Sequence, residues 1–233
     1  MKKNFFFTLL LVVFICSQLT SCALLNQKKG MTIEVLATPI DQTKEKLTIQ
    51  DLEEIKVIIG RRIEALGANT YSITINEKEQ RLEIKTLLYN DLEMLKNVLK
   101  RTGSLKITDE NAKVILTNQD IKTVSFQMRK TENDIEEPVV EIQLDTEGTR
   151  LFAEGTKANI GKTISFFIDD QCYMTPTVNE IVKDGNLVIT FVRSSEIAIQ
   201  GAREAAALLQ GRLEATLEII KAEKHKVSIS FNQ

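Results

Sequence analysis

The sequence predicts an α+β fold, and three observations carry that expectation. Short runs alternate apolar and polar residues, longer runs repeat apolar residues at spacings of three and four, and the two kinds are interleaved along the chain. Residues 31–37 read as a strand, with Ile33 and Val35 alternating against Thr32 and Glu34. Thr48 stands as an N-cap before a helix on which Leu52, Ile55, Ile59, Ile63 and Leu66 share one face, and Gly67 sits where a terminating glycine belongs. Tyr71, Ile73 and Ile75 alternate in a second strand, residues 76–80 make a polar turn, and Leu82, Ile84 and Thr86 form a third strand. Asp91 is placed as the cap of a second helix carrying Leu92, Leu95 and Val98 or Leu99. Thr102 and Gly103 end that helix, and Leu105 and Ile107 open another strand. The order β-α-β-β-α-β is the split βαβ, or ferredoxin-like, pattern. Each helix has a single apolar stripe, so both are expected on one face of an antiparallel sheet.

The second half is less symmetrical. Strands are expected at 114–116, 124–128 and 139–144, with the charged residues 129–137 as a loop or hairpin tip. Residues 146–159 read as a helix with Leu151, Phe152 and Gly155 inward. Further strands are expected at 163–168, 173–178 and 187–192, separated by turns at Asp169-Asp170 and 183–186. A helix rich in alanine starts at Ser194 or Ser195 and runs to about Gln210, and 215–221 and 227–231 are strand-like. No fixed-period repeat is present.

The N-terminus has the parts of an export signal: Lys2 and Lys3, an apolar core at 5–15 broken only by Thr8, then small residues. The core is about half of the roughly 20 residues that a spanning helix needs. Leu19-Thr20-Ser21-Cys22 resembles the lipobox of bacterial lipoproteins. That resemblance implies cleavage after residues 1–21 and a diacylglycerol on the Cys22 thiol, with 22–30 as a tether. Cleavage would remove Lys2, Lys3 and Cys16 and no acidic group, moving the formal net charge from −2 to −4. A mildly acidic chain has no basic footprint for nucleic acid. No later run approaches membrane-spanning length, so the rest is expected to be water-soluble and outside the cytoplasm. Cys172 is then the one other thiol, expected to be buried in a strand rather than catalytic.

Candidate chemistry is sparse. The segment from Gly155 to Gly161-Lys162-Thr163 looks like a phosphate-binding loop, but five residues separate its glycines where four are needed. Its context is reversed too, a helix running into a strand, so Gly161 is better read as a helix terminator. His225 is the sole histidine, expected on an exposed strand or turn, and one histidine with one thiol cannot build a usual zinc site. No Gly-x-Ser-x-Gly elbow exists to serve a serine triad. Asp169 and Asp170 could be paired carboxylates, but neighbours in a strand point to opposite faces, and a hairpin turn is the stronger reading. Glu53-Glu54 and Glu136-Glu137 read as solvated surface. No catalytic residue, metal or cofactor is expected, and the chain is read as a non-enzyme.

Taken in order, several segments resemble the first large periplasmic domain of SecD, an accessory subunit of the bacterial Sec export machine. They are Gly60-Arg61-Arg62-Ile63-Glu64-Ala65-Leu66-Gly67, Arg101-Thr102-Gly103-Ser104-Leu105-Lys106-Ile107 and Leu116-Thr117-Asn118-Gln119-Asp120-Ile121. Residues 144–156, 159–162, Ile168-Asp169-Asp170, 175–180 and the helix 202–209 continue the series, which covers about residues 31–220. The resemblance implies a ferredoxin-like base, 31–108 plus 214–233, and an inserted head, 109–213, that tilts relative to it. It also implies that the head holds an emerging polypeptide against backsliding. Phe152, Gly161 and Pro176 match the family pattern and are read as structural. Two departures stand out: the sequence stops at Gln233 without SecD's further membrane helices, and 210–216 lacks the family's proline. Proton-driven pulling is therefore not carried over. The expected function is a lipid-anchored module that assists Sec-dependent export or binds unfolded polypeptide. Its expected partners are the membrane, through lipid on Cys22, and Sec translocon subunits or exported polypeptides. The alternative is an envelope lipoprotein that kept the fold but serves a different complex or small ligand. Residue 23 is alanine, not the aspartate that commonly retains lipoproteins at the inner membrane of enteric bacteria, so inner and outer membrane both stay open.

Overall fold

The computed structural model describes residues 27–87, 92–191 and 195–228; Cys22, the expected cap Asp91, Ser194 and Phe231 lie outside the described residues. The base is a four-stranded antiparallel sheet built on β1 (Gln27–Pro39), with β2 (Tyr71–Asn76), β3 (Arg81–Thr86) and a last strand, β11 (Ala215–Ser228), in the order β11-β1-β3-β2. Ile33, Val35, Leu82 and Ile84 are fully buried on its inner face. Two helices cover that face, α1 (Ile49–Ala65) through Leu52, Ile59 and Ile63, and α2 (Leu92–Lys100) through Leu95, Val98 and Leu99. Thr48 does cap α1: its hydroxyl accepts from the Asp51 N–H (3.2 Å), and the Asp51 carboxylate accepts from the Thr48 N–H (2.8 Å). Gly67, at φ +92°, turns the chain off the helix.

Four details depart from the expected pattern. Residues 27–30, expected in the tether, are paired: Gln27 faces Ser228 and Gly30 faces His225, because β11 continues through the polar residues that separate the two expected strands 215–221 and 227–231. Ladder hydrogen bonds join main chains, so a polar stretch extends a strand wherever a partner strand continues beside it.

The second departure concerns β4 (Leu105–Asp109). It pairs with β5 (Val114–Thr117) and β8 (Ile164–Ile168), not with the base. The fourth place in the ferredoxin-like sheet is filled by β11, so the chain makes its whole excursion between α2 and that strand. Alternation of Leu105 and Ile107 fits either sheet; the apolar partners Ile164, Phe166 and Ile168 decide the pairing.

The excursion forms two more sheets. One is β5-β4-β8-β9, ending on β9 (Gln171–Met174); the other is β10-β7-β6, from β6 (Ile121–Lys130), β7 (Glu136–Leu144) and β10 (Asn186–Thr190). Helix α3 (Thr146–Ala158), capped by Asp145, buries Phe152 and brings Gly155 against Ile115 of β5. Helix α4 (Glu196–Leu208), capped by Ser195, buries Ala202, Ala205, Ala206 and Ala207 completely. Small side chains let it lie close against α1 of the base and also against β6 and β7.

The third departure is Cys172, which is exposed rather than buried. It stands on edge strand β9 opposite Phe167, and cross-strand partners share a face. That face is turned from the core, which takes Phe166 and Ile168 instead. Strand β9 is also shorter than expected: Pro176 has no N–H for a ladder, and beyond it Thr177 and Val178 make isolated bridges only.

Candidate functional site at the base–head junction

The chain leaves the base through residues 101–104 and returns through 210–214, and the two crossings touch, with the Leu213 N–H donating to Thr102 O at 2.8 Å. Arg62 of α1 lies fully buried against both. Its Nη1 donates to the carbonyls of Val98 (2.8 Å) and Arg101 (2.7 Å), and its Nη2 to those of Thr102 (2.6 Å) and Gly211 (2.7 Å). The last carbonyls of a helix lack partners within it, and a cation there is favoured by the helix dipole. Arg62 thus ends α2 and ties the outgoing crossing to the returning one. Its Nε has no partner among the described residues. Burial pulls the guanidinium down to about 10, with the Asp169 charge opposing and the Arg101 charge adding, which leaves it a cation at neutral pH.

Asp169 reaches the same crossing from the head. It occupies the two-residue hairpin between β8 and β9, where Asp169 and Asp170 adopt φ +48° and +64°, the geometry such tight turns require. Its carboxylate accepts from the Gly103 N–H (3.0 Å), the Ser104 N–H (2.9 Å), the Thr102 hydroxyl and Arg101 Nε (3.2 Å). Burial alone would raise its pKa, but the Thr102, Ser104 and Gly103 hydrogen bonds and the Arg101 charge outweigh it and hold the group below the usual carboxylate range. Arg101 also donates to Tyr173 Oη (3.3 Å), Glu204 Oε1 (3.2 Å) and Ile168 O (3.0 Å). Burial would lower its pKa, and the Tyr173, Asp169 and Glu204 contacts reverse that to a net rise. The carbonyls of the outgoing crossing are therefore held by a base cation and its amides by a head anion. Asp170 points elsewhere, 3.7 Å from Lys106, so the two aspartates do not converge.

Beside this junction lies a groove of about 480 Å³ between α1 and the start of β6, lined by Arg61, Gln119, Lys122, Val124, Gln210 and Arg212. His225, exposed on β11, and Cys172, exposed on β9, stand apart from both features. Phe152 is core, and the Gly161 N–H and Pro176 carbonyl serve local hydrogen bonds to Val178 O (2.9 Å) and from the Ile164 N–H (3.1 Å).

The family model of the SecDF P1 head subdomain matches residues 95–215, just over half of the chain. The chain belongs to the SecDF P1 head family. The match starts within α2 and ends at the first residue of β11, so it encloses both crossings, while Arg62 comes from outside it. The protein translocase subunit SecD of Dictyoglomus turgidum is 27% identical over 165 residues, covering 70% of this chain and 39% of that protein. The chain thus spans well under half the length of that relative. A solved SecDF in the super-membrane-facing form superposes with a TM-score of 0.64 at 20% identity, over 84% of this chain and 30% of that one. A second, described as a membrane component SecDF that enhances protein export, gives 0.58 at 21% identity over 82% of this chain and 98% of that one. These two show the shared fold. Among the described residues no helix is long and apolar enough to cross a membrane.

Three segments that carry the SecD resemblance, at 60–67, 101–107 and 168–170, meet at this junction of the P1-type fold. One signal for it was present in the sequence: Arg62 falls on the apolar stripe with Ile59, Ile63 and Leu66. Asp169→Asn keeps a residue that tolerates positive φ while removing the charge. At neutral pH it is expected to cost about 1–2 kcal/mol, reduced by solvent because the carboxylate is 18% exposed. In the unfolded chain the carboxyl titrates near 3.8, and in the folded chain lower. The charge's contribution is complete above the unfolded value and is lost as pH falls through the folded one. Acid unfolding followed by circular dichroism is therefore expected to be shallower below about pH 4 in the variant; identical acid limbs would remove Asp169 from the junction's energetics.

Proposed function

We propose that this chain is a lipid-anchored, non-enzymatic SecD-like module at the extracytoplasmic face of a bacterial membrane, where it assists Sec-dependent export or binds unfolded polypeptide. The match of residues 95–215 to the P1 head carries this reading. Its relatives bear the name protein translocase subunit SecD, and the head is set on a base through a junction charged from both sides. Residues 1–21 act as the signal, Cys22 bears the lipid, and the tether leads from it into β1. Acyl chains add about 0.8 kcal/mol per buried methylene, so two or more hold a protein at a membrane stably. The base takes the ferredoxin-like sheet with β11, and the head takes the excursion from about Arg101 to Glu214.

Crosslinking in cells tests the function: capture of translocon subunits or of exported precursors is the expected result. Capture of one unrelated envelope complex instead would overturn it. Anchoring has its own test. Cys22→Ser is expected to move the protein from the membrane fraction to the soluble one; unchanged membrane association would remove the lipid from this account. Fractionation of the unmodified protein then separates inner from outer membrane.

A further inference from the structure

The three-stranded head sheet ends on β6, and two hydrogen bonds fix which of its main-chain groups face outward. Gln210 Nε2 donates to Val124 O at 3.2 Å, so this carbonyl is turned away from β7. Across the ladder, the Phe191 N–H donates to Pro138 O at 3.0 Å, and Pro138 has no N–H at all. Pro138 therefore bonds toward the β10 side, and its partner Met128 is left facing away from β7. In an antiparallel strand both groups of one residue point the same way, and successive residues alternate. The register pairs Val124 with Ile142, Phe126 with Val140 and Met128 with Pro138, so the two markers agree. Val124, Phe126 and Met128 direct their N–H and C=O outward, while Ser125 and Gln127 bond β7. Among the described residues, the Val124 carbonyl alone of that outward set has a partner.

Natural sheets blunt such edges with proline, charge or a bulge, and residues 123–128 of β6 carry none of these. The one register shift lies before them, between Ile121 and Thr123. Charge gathers alongside instead. Arg61 and Lys122 line the junction groove, and Arg203 lies 5.2 Å from the Phe126 ring centroid; none of the three has an ion pair among the described residues. On a chain of net charge −2, three uncompensated cations along one open strand complement an acidic partner.

We propose that the β6 edge takes up an extended, acidic polypeptide segment as an added strand. Phe126 and Met128 supply the main-chain hydrogen bonds, and Arg61, Lys122 and Arg203 supply the charge complement. Main-chain pairing recognises any extended chain, and the side-chain charges bias the choice. This rests on the polypeptide-handling reading above and assigns it a surface.

The test is fluorescence anisotropy with the full chain in detergent micelles, probed by a labelled valine–threonine peptide carrying aspartates. An otherwise identical peptide N-methylated along its backbone has no N–H to donate and is expected to bind at least ~10-fold more weakly. Met128→Pro removes one outward donor without touching the bonds to β7 and is expected to weaken the unmodified peptide, with its melting curve checked in parallel. Lys122→Glu is expected to weaken the acidic peptide and spare a basic one. Equal binding of both peptides, or none of the unmodified one, overturns the proposal. So does a self-associating chain that Met128→Pro makes monomeric, since the edge then belongs to a second copy. Precursor crosslinks in cells that avoid β6 would sink this inference alone, and the absence of any precursor crosslink would remove the polypeptide reading with it.

Discussion

Replacing Arg62 with methionine is expected to lower the unfolding free energy by about 3–5 kcal/mol, since four carbonyls lose a charged donor and each buried group left unsatisfied costs roughly 1–3 kcal/mol. Methionine matches much of the arginine stem, so lost packing is a small part of the effect. The larger part falls on the carbonyls of Val98, Arg101, Thr102 and Gly211, which lose a donor supplied by a fully buried side chain. Two effects limit the loss: a desolvated cation is no longer carried, and the Leu213–Thr102 main-chain bond still joins the crossings. Arg62→Lys separates charge from geometry. One ammonium with three donors cannot serve four carbonyls in two directions, so lysine is expected to recover only part of the stability. Ile63→Val, one residue along, sets the scale for ordinary packing at about 1 kcal/mol. Urea unfolding of the four proteins decides the matter, the midpoint shifting with the slope unchanged. A loss for methionine no larger than that for Ile63→Val would mean that water reaches those carbonyls and that the junction is not held from the base.

The same residue shows where reading the sequence succeeds and where it stops. Helix α1 was legible because its apolar spacing, its Thr48 cap and Gly67 are local signals that agree. Strands β2 and β3 were legible by alternation, and their pairing by the short polar turn between them. Sheet membership was not legible for β4, since Leu105 and Ile107 alternate equally well toward either core. The SecD resemblance, not periodicity, sent residues 215–221 back to the base, and β11 does pair there. Cys172 misled because a small apolar residue in a strand is usually buried, whereas the face it occupies depends on a register that no local signal sets. In the sequence Arg62 stands out only as half of an arginine pair with Arg61. Its place on the apolar stripe of α1 was the available clue, because an arginine there must find acceptors in the core. Which acceptors those are depends on two crossings, one of them 149 residues away along the chain. Asp169 is the converse case. Its turn was legible from two adjacent aspartates, but the amides it serves belong to a segment 65 and 66 residues earlier.

Gly103→Ala is the second substitution expected to cost heavily, about 2–4 kcal/mol, and its cause lies in the same crossing. Gly103 sits at φ +77°, where an added Cβ is disfavoured by itself. The space around it is also filled. The new atom would fall inside contact distance of the Leu208 carbonyl oxygen, 3.1 Å from its carbon and 2.5 Å from Arg62 Nη2. Neither obstacle can swing aside, since the first is main chain at the end of α4 and the second is pinned between Thr102 and Gly211. Gly67→Ala isolates the backbone part: its φ is +92°, with nothing within 4 Å of the added atom, so only the backbone penalty of about 1–2 kcal/mol applies. The difference between the two alanines therefore measures how closely the outgoing crossing passes α4. Combined with Arg62→Met, Gly103→Ala is expected to cost less than the separate losses added, because one of its two obstacles is then gone. Equal losses for Gly103→Ala and Gly67→Ala would show instead that the crossing has room to shift, and that α4 does not lock the head to the base there.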